Sequence, residues 1–402
     1  MMKEKEMKRV PKLRFPEFTD DWEQRKLGEI YTERNERGND NLEILSVSIH
    51  HGVSSGELDS NVLGKNVKRS EDKSLYKHVY EGDLVFNMMR AWQGAIGIVK
   101  NEGMISPAYI SAIPNKNVYP KFMDYCLRRE EVITQINNLS YGVTDFRKRL
   151  YWNGFTKVNI MLPSVQEQDK LTELFHNLDK FITLHQRKLE KLKELRKGVM
   201  QKLFSQEVRF KADDGSEFPE WEKKPFGDVV SEFKVKTKVE DEDTLLSCAI
   251  NGMFLNSELF GHQRGQSNIG YLKIKKGTLI LSAQNLHLGN ANVNLRFEHG
   301  IISPAYKTYD IVGCSAEYMS QWAKWDMTKQ FFYNATTVGA SECRRNVDWN
   351  MLYSQLFAVP CLPEQQKIAD CLSSLDDGIA KQKATLAAWE ELKKGLLQQM
   401  FV

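Results

Sequence analysis

Motifs that would identify a catalytic chemistry are scarce in this 402-residue chain. There is no G-x-x-x-x-G-K-[ST] phosphate loop and no G-x-G-x-x-G fingerprint, so neither common sequence cradle for a nucleotide is present. The Asn-Pro-Pro-aromatic tetrapeptide that adenine methyltransferases carry is also missing. None of the eight histidines has H-x-x-x-H spacing, and the adjacent His50 and His51 read as a polar loop or a satisfied core pair rather than ligands. Six cysteines include no C-x-x-C pair; they read as reduced, partly buried residues of a cytoplasmic protein, and no metal site is expected. No apolar run approaches a membrane-crossing length, and the first residues, MMKEKEMKRVPKLRF, have no signal-peptide core. A net charge of +3 is too small to identify a nucleic-acid binder by its sum.

What the chain does have is a long helical pattern, and it has it twice. Residues 167–204 and 364–401 carry apolar side chains in one register, 197 positions apart. The first stripe is Leu178, Ile182, Leu189, Leu192, Leu195, Val199 and Leu203. The second is Leu375, Ile379, Leu386, Trp389, Leu392, Leu396 and Met400. Steps of three and four define one face of a helix about 57 Å long, at about 1.5 Å per residue. Lys, Glu and Gln fill the other positions, so the stripes are narrow, and two paired scaffold helices are expected rather than two ordinary core helices. Ser164 is placed to cap the first helix while Glu167 reaches back to the free amides. Pro363 and Glu364 open the second copy, with the carboxylate at the positive end of the dipole. Gly198 and Gly395, at matching positions inside the helices, predict a close approach of two backbones.

The duplication extends well beyond the helices. GMISPAY at Gly103–Tyr109 returns as GIISPAY at Gly300–Tyr306, six of seven identical at the same offset. Arg147 and Trp152 fall on Arg344 and Trp349, and Phe15-Pro16-Glu17 with Trp22 returns as Phe218-Pro219-Glu220-Trp221. One module occurs twice, with globular parts over 1–162 and 206–361 and helical segments over 163–205 and 362–402. Strands are expected at Leu42–Ile49, Asp83–Asn87, Ala95–Val99 and Ala108–Ile113, and a helix at Pro120–Arg129, giving mixed α+β domains. The recurring Trp22, Trp152, Trp221 and Trp349, like Tyr109 and Tyr306, read as packing residues. Between the modules, Asp213-Asp214-Gly215 breaks a polar connector.

The interiors diverge where the frame agrees. Residues 87–94 and 282–289 share almost nothing, as do 52–73 and 251–268. Those first loops offer Asn87, Arg90 and Gln93 in one module and Gln284, Asn285 and His287 in the other. Asn and Gln match the N6 and N7 edge of adenine, and Arg matches guanine or phosphate. Thr144, Arg147 and Lys148 follow Gly142, while Ser341, Arg344 and Arg345 follow Gly339. A cation cluster is ordinarily a solvated surface; its duplication beside a glycine points instead to DNA contact.

Taken together, the duplicated domain-plus-helix layout, Gly-Asp-Leu-Val, Ser-Pro-Ala-Tyr and Leu162-Pro163-x-x-x-Glu167-Gln168 resemble the specificity subunits of type I restriction–modification systems. Val359-Pro360 and the extra Pro363 depart from that pattern at the start of the second helix. The resemblance implies an α+β chain of two duplicated mixed α/β target recognition domains, separated and joined by two long helices packed as a coiled coil with pseudo-twofold symmetry. It implies a non-catalytic subunit that binds a bipartite, asymmetric sequence in double-stranded DNA, with the helices setting the gap. It also implies two modification subunits holding S-adenosylmethionine and methylating adenine, and restriction subunits supplying ATP- and Mg-dependent translocation and cleavage. No cofactor is expected in this chain. Two other readings are a coiled-coil adaptor for proteins and a self-sufficient methyltransferase with fused recognition domains.

Overall fold

The computed structural model describes residues 10–39, 41–49, 52–55, 75–142, 147–260, 267–341 and 344–402, with backbone only at 55, 338–341 and 344. His50, His51, Thr144 and Cys343 therefore lie outside the described residues. The chain divides into two compact units, Met1–Gln186 with Thr385–Val402, and Arg187–Ala384. Each unit takes part of both long helices, Val165–Phe204 and Leu362–Gln399.

In the first unit, four antiparallel strands lie in the order Tyr31–Arg34, Tyr109–Pro114, Leu84–Asn87, Ile96–Ile98. The second unit repeats that order with Val230–Phe233, Tyr306–Ile311, Leu279–Ser282 and Ala291–Val293. A two-stranded pair also recurs, Glu23–Lys26 with Asn159–Leu162 and Glu222–Pro225 with Leu356–Val359. The expected strands are observed within a residue or two of their limits, and Pro120–Cys126 is the expected helix. Identical strand order on matched segments makes the duplication a property of the fold as well as of the sequence. In the connector, Gly215 sits at φ +85°, where a side chain is disfavoured, and Lys211 pairs with Glu217 across the turn.

Aromatic residues build both cores. In the first unit Trp22, Phe122 and Phe175 surround Phe401, whose ring stacks on Phe122 at 5.3 Å and meets Trp22 edge-on at 6.1 Å. In the second, Phe204 occupies the equivalent place beside Tyr318 and Trp221. Phe204 and Phe401 are 197 positions apart. A phenylalanine at the end of the first long helix, and one two residues past the end of the second, is thus a core plug in each unit.

The helix starts are fastened differently from the sequence expectation. Ser164 Oγ does accept the Glu167 amide at 3.3 Å. The Glu167 carboxylate does not return to the backbone, because Arg14 takes both its oxygens at 2.7 and 2.8 Å. Glu364, whose side chain is fully buried, is likewise held by Arg209 at 3.1 and 2.9 Å and by the Trp221 indole N–H at 3.0 Å. The neighbouring Gln168 and Gln365 each accept one backbone amide and donate to a proline carbonyl five residues back. The Glu-Gln pair is a fastening between helix and domain.

Within the first unit the helices touch through Lys393–Asp179 at 2.6 Å and the stacked rings of Phe181 and Trp389. Within the second they touch through Arg196–Asp376 at 2.5 Å, with Gln321 bonding both partners. The N-terminal half of the first helix thus lies against the C-terminal half of the second, and the reverse holds in the other unit, as in an antiparallel pair. Twelve of the fourteen stripe residues are buried or half-buried. Leu195 and Leu392 are 52% and 46% exposed, because a straight 3.6-residue helix carries those positions off the seam. The expected close approach at Gly198 and Gly395 is not made: a Cβ at either would meet nothing within 4 Å among the described residues.

Candidate nucleic-acid interface

The described candidate residues of the first unit gather at the end of the sheet where Leu84–Asn87 gives way to a turn. After Leu84–Asn87 the chain reverses and returns as Ile96–Ile98. Asn87 is buried and shapes this turn, its side-chain oxygen accepting the Met89 amide at 3.0 Å. Gly94, at φ +98°, completes it. Asn87 is therefore committed to the frame, whereas Arg90 and Gln93 point outward and are exposed. The Ser-Pro-Ala-Tyr segment supports the turn: Ser106 Oγ caps the Ala108 amide, and the Ala108 carbonyl accepts from Met88.

Tyr141 and Arg149 exchange both backbone hydrogen bonds at 3.1 Å, closing the arms of a hairpin. Leu150 donates to the Met88 carbonyl at 2.8 Å, so the hairpin and the Arg90 turn share an edge. Lys148 bonds the Asn137 side chain and lies 5.6 Å over the Trp92 ring. Arg90, Arg147 and Arg149 are exposed and make no side-chain hydrogen bond or ion pair to another described residue. Gly142 is required here for an internal reason: a Cβ would stand 2.3 Å from the Arg147 carbonyl oxygen. The close approach expected of this glycine is to its own hairpin.

In the second unit, Ser282 and Gly289 bracket the equivalent turn, with Ser282 Oγ accepting the Asn285 amide at 3.1 Å. Gln284 and Asn285 are exposed and His287 half-buried. The hairpin is a fuller one, Thr336–Ser341 with Arg344–Val347, in which Ser341 faces Arg344. The Arg345 guanidinium is engaged within the unit, bonding the Thr336 hydroxyl and carbonyl at 2.7 Å each and covering the Tyr333 ring at 4.0 Å. Such a side chain holds the hairpin to its neighbouring helix. Among the described residues, no group of acidic, His or Cys side chains has the form of a metal site. The run Gly52-Val53-Ser54-Ser55-Gly56 spells a nucleophile-elbow pattern, but Gly52–Ser55 is a strand paired with Ile44–Ser48 rather than a strand-to-helix turn. Buried Cys126 and Cys248 are pushed up to about 11 and about 12, which keeps both thiols protonated at neutral pH.

Sequence reasoning passed over Tyr141, Tyr151 and Trp92 as parts of this edge. The signal was present in the interleaving of aromatic and basic residues through Phe146-Arg147-Lys148-Arg149-Leu150-Tyr151-Trp152.

Comparison with known proteins converges on one family. Residues 19–194 match the type I restriction modification DNA specificity domain. The specificity subunit of the type I restriction enzyme MjaVIII from Methanocaldococcus jannaschii is 24% identical over 237 residues, 57% of this chain and 53% of that one. Over these residues the chain is similar to type I restriction–modification specificity subunits. Its match spans about half the length of the Methanocaldococcus protein. Solved structures extend the likeness in fold over nearly the whole chain. The type I restriction–modification S subunit from M. genitalium superposes with a TM-score of 0.55 at 13% identity, covering 98% of this chain and 99% of that one. The HsdS subunit from Thermoanaerobacter tengcongensis gives 0.50 at 16%, covering 94% and 96%. A chain from a study of assembly and conformational transition in a type I system gives 0.56 at 14%, covering 94% and 97%. Among the described residues no helix is long and apolar enough to cross a membrane.

Proposed function

We propose that this chain is the DNA-reading subunit of a type I restriction–modification complex, each unit reading one half of a bipartite, asymmetric target. The observation that carries the reading is one strand order built twice with unlike turns on the same edge, Asn87–Gly94 in one unit and Ser282–Gly289 in the other. A constant frame with different exposed groups is what two different half-sites require. Arg90 and Arg147 in the first unit, and Gln284, Asn285 and Arg344 in the second, are the proposed reading and phosphate-contacting residues. Lys148, His287 and Ser341 lie in the same turns and hairpins, Gln93 belongs to the Arg90 turn, and Thr144, outside the described residues, completes the proposed set.

The long helices hold the units and supply a surface for two modification subunits. Those partners hold S-adenosylmethionine and methylate adenine, and restriction subunits add ATP and Mg for translocation and cleavage. This chain itself contributes recognition and no catalytic group. The test is co-expression with the modification subunit and mapping of methylated adenines in host DNA. A two-part motif with a fixed gap, lost on Arg147→Ala or Arg344→Ala, is the expected outcome. A motif that survives both substitutions removes those two residues from the reading. An assembled complex that leaves DNA unmethylated favours the adaptor reading, and methyl transfer by the isolated chain favours the fused-enzyme reading.

A further inference from the structure

The first unit has a feature its copy lacks. Tyr141 and Tyr151 are 56% and 38% exposed, and their rings stack on each other at 5.2 Å with planes 29° apart. With Trp152, Met88 and Ile110 they line an open cleft of about 490 Å³, which Lys77, Glu33 and Asn153 border. At offset 197 the two tyrosines become Val338 and Asp348, and Ile110 becomes Lys307. In the second unit the Lys307 ammonium sits 4.2 Å over the Trp349 ring, covering the tryptophan that in the first unit faces the cleft. Exposed phenol rings are costly to leave in water, and here they stand on the edge that also presents Arg90, Arg147 and Arg149 without described ion-pair partners. Exposed aromatic rings in the same part of the fold as exposed arginines match a polyanion carrying flat apolar rings.

We propose that the Tyr141–Tyr151 pair is a stacking platform for an unstacked base in duplex DNA, so that the first unit deforms its half-site while the second reads an undistorted one. This rests on the function proposed above and adds a mode of contact that only one unit uses. The arginines flanking the pair hold the adjoining phosphates, and the cleft behind the rings accepts the displaced base. Sequence preference then arises from the ease of opening a base step as well as from hydrogen bonds to base edges.

The experiment uses the assembled complex with its modification subunits and the mapped target duplex, carrying 2-aminopurine at one position at a time. On binding, the probe brightens at a position in one half-site other than the methylated adenine and its partner base. Tyr141→Ala abolishes that signal and weakens specific binding about 10-fold, the size of one lost base–aromatic stack. Tyr141→Phe retains both, since the ring and not the hydroxyl does the work. Specific binding without brightening at any such position overturns the proposal and leaves the two-half-site reading intact. So does brightening that Tyr141→Ala leaves unchanged. Absence of sequence-specific binding by the assembled complex overturns the underlying reading, and this proposal with it. Tyr151→Ala is the companion variant: removing the supporting ring reduces the signal while circular dichroism and thermal unfolding stay as in the parent.

Discussion

Removing Arg209 should loosen the second unit far more than its position near the surface implies. Arg209 is the main partner of Glu364, whose side chain is fully buried at the start of the second long helix. In Arg209→Ala the carboxylate keeps, among the described residues, only the Trp221 N–H at 3.0 Å. Breaking a buried pair and leaving its charge behind costs about 3–5 kcal/mol, against about 0.2–1 kcal/mol for an exposed pair. The guanidinium is itself 17% exposed, so the lower end applies and about 3 kcal/mol is expected. For a unit of this size that corresponds to about 6–12 °C in its unfolding midpoint. Hydrogen exchange followed by mass spectrometry reads the units separately, and protection should fall in Leu279–Ser282 and Tyr306–Ile311 but not in Leu84–Asn87. The double variant Arg209→Met with Glu364→Gln removes both charges and lets the amide oxygen accept from Trp221, so it should recover more than half of the loss. A shift below about 1 kcal/mol for Arg209→Ala, or a double variant no better than the single one, refutes the account of the fastening.

Three further outcomes follow from individual contacts. Gly198→Ala and Gly395→Ala, with nothing near the added methyl, should each stabilise by about 1 kcal/mol in denaturant unfolding, and a loss at either site reinstates the close backbone approach. Gly142→Ala drives a methyl into the Arg147 carbonyl, so specific DNA binding should fall at least 10-fold, roughly the effect of one lost specific contact, with the unfolding midpoint unchanged; retained binding shows that the hairpin can rearrange freely. Burial, opposed by the Ile98 amide at 3.0 Å and the Arg128 charge, holds the Asp124 carboxyl above its usual range. The folded state therefore takes up the proton first. This contribution is present at low pH and is lost as pH rises from the ordinary value of about 3.9 through the raised one. Asp124→Asn, which keeps the acceptor for Ile98, should lack that slope in exchange of the Ile98 amide; parallel slopes in the two proteins refute the shift.

Periodicity and duplication were readable from residues alone because they are local and repeated. Each stripe position has its copy 197 residues on, and strand order follows the same repeat. What escaped was pairing across long separations. Glu167 looked like a capping residue because its spacing from Ser164 is right, but the partner that captures it, Arg14, lies 153 positions away. Gly198 and Gly395 recur for no steric reason visible in the structure. Arg345 and Arg147 looked alike in a basic run, yet one is bound to Thr336 and Tyr333 while the other stands free among the described residues. That difference has a consequence for measurement. Arg147→Ala should lower the dependence of DNA affinity on salt by about one unit of slope, because a phosphate contact is lost. Arg345→Ala should leave the slope as it is and instead free the hairpin from the Asp326–Asn334 helix, raising exchange at Thr336–Ser341. If Arg345→Ala changes the slope as much as Arg147→Ala does, the contacts to Thr336 and Tyr333 give way when DNA binds, and both arginines belong to the interface.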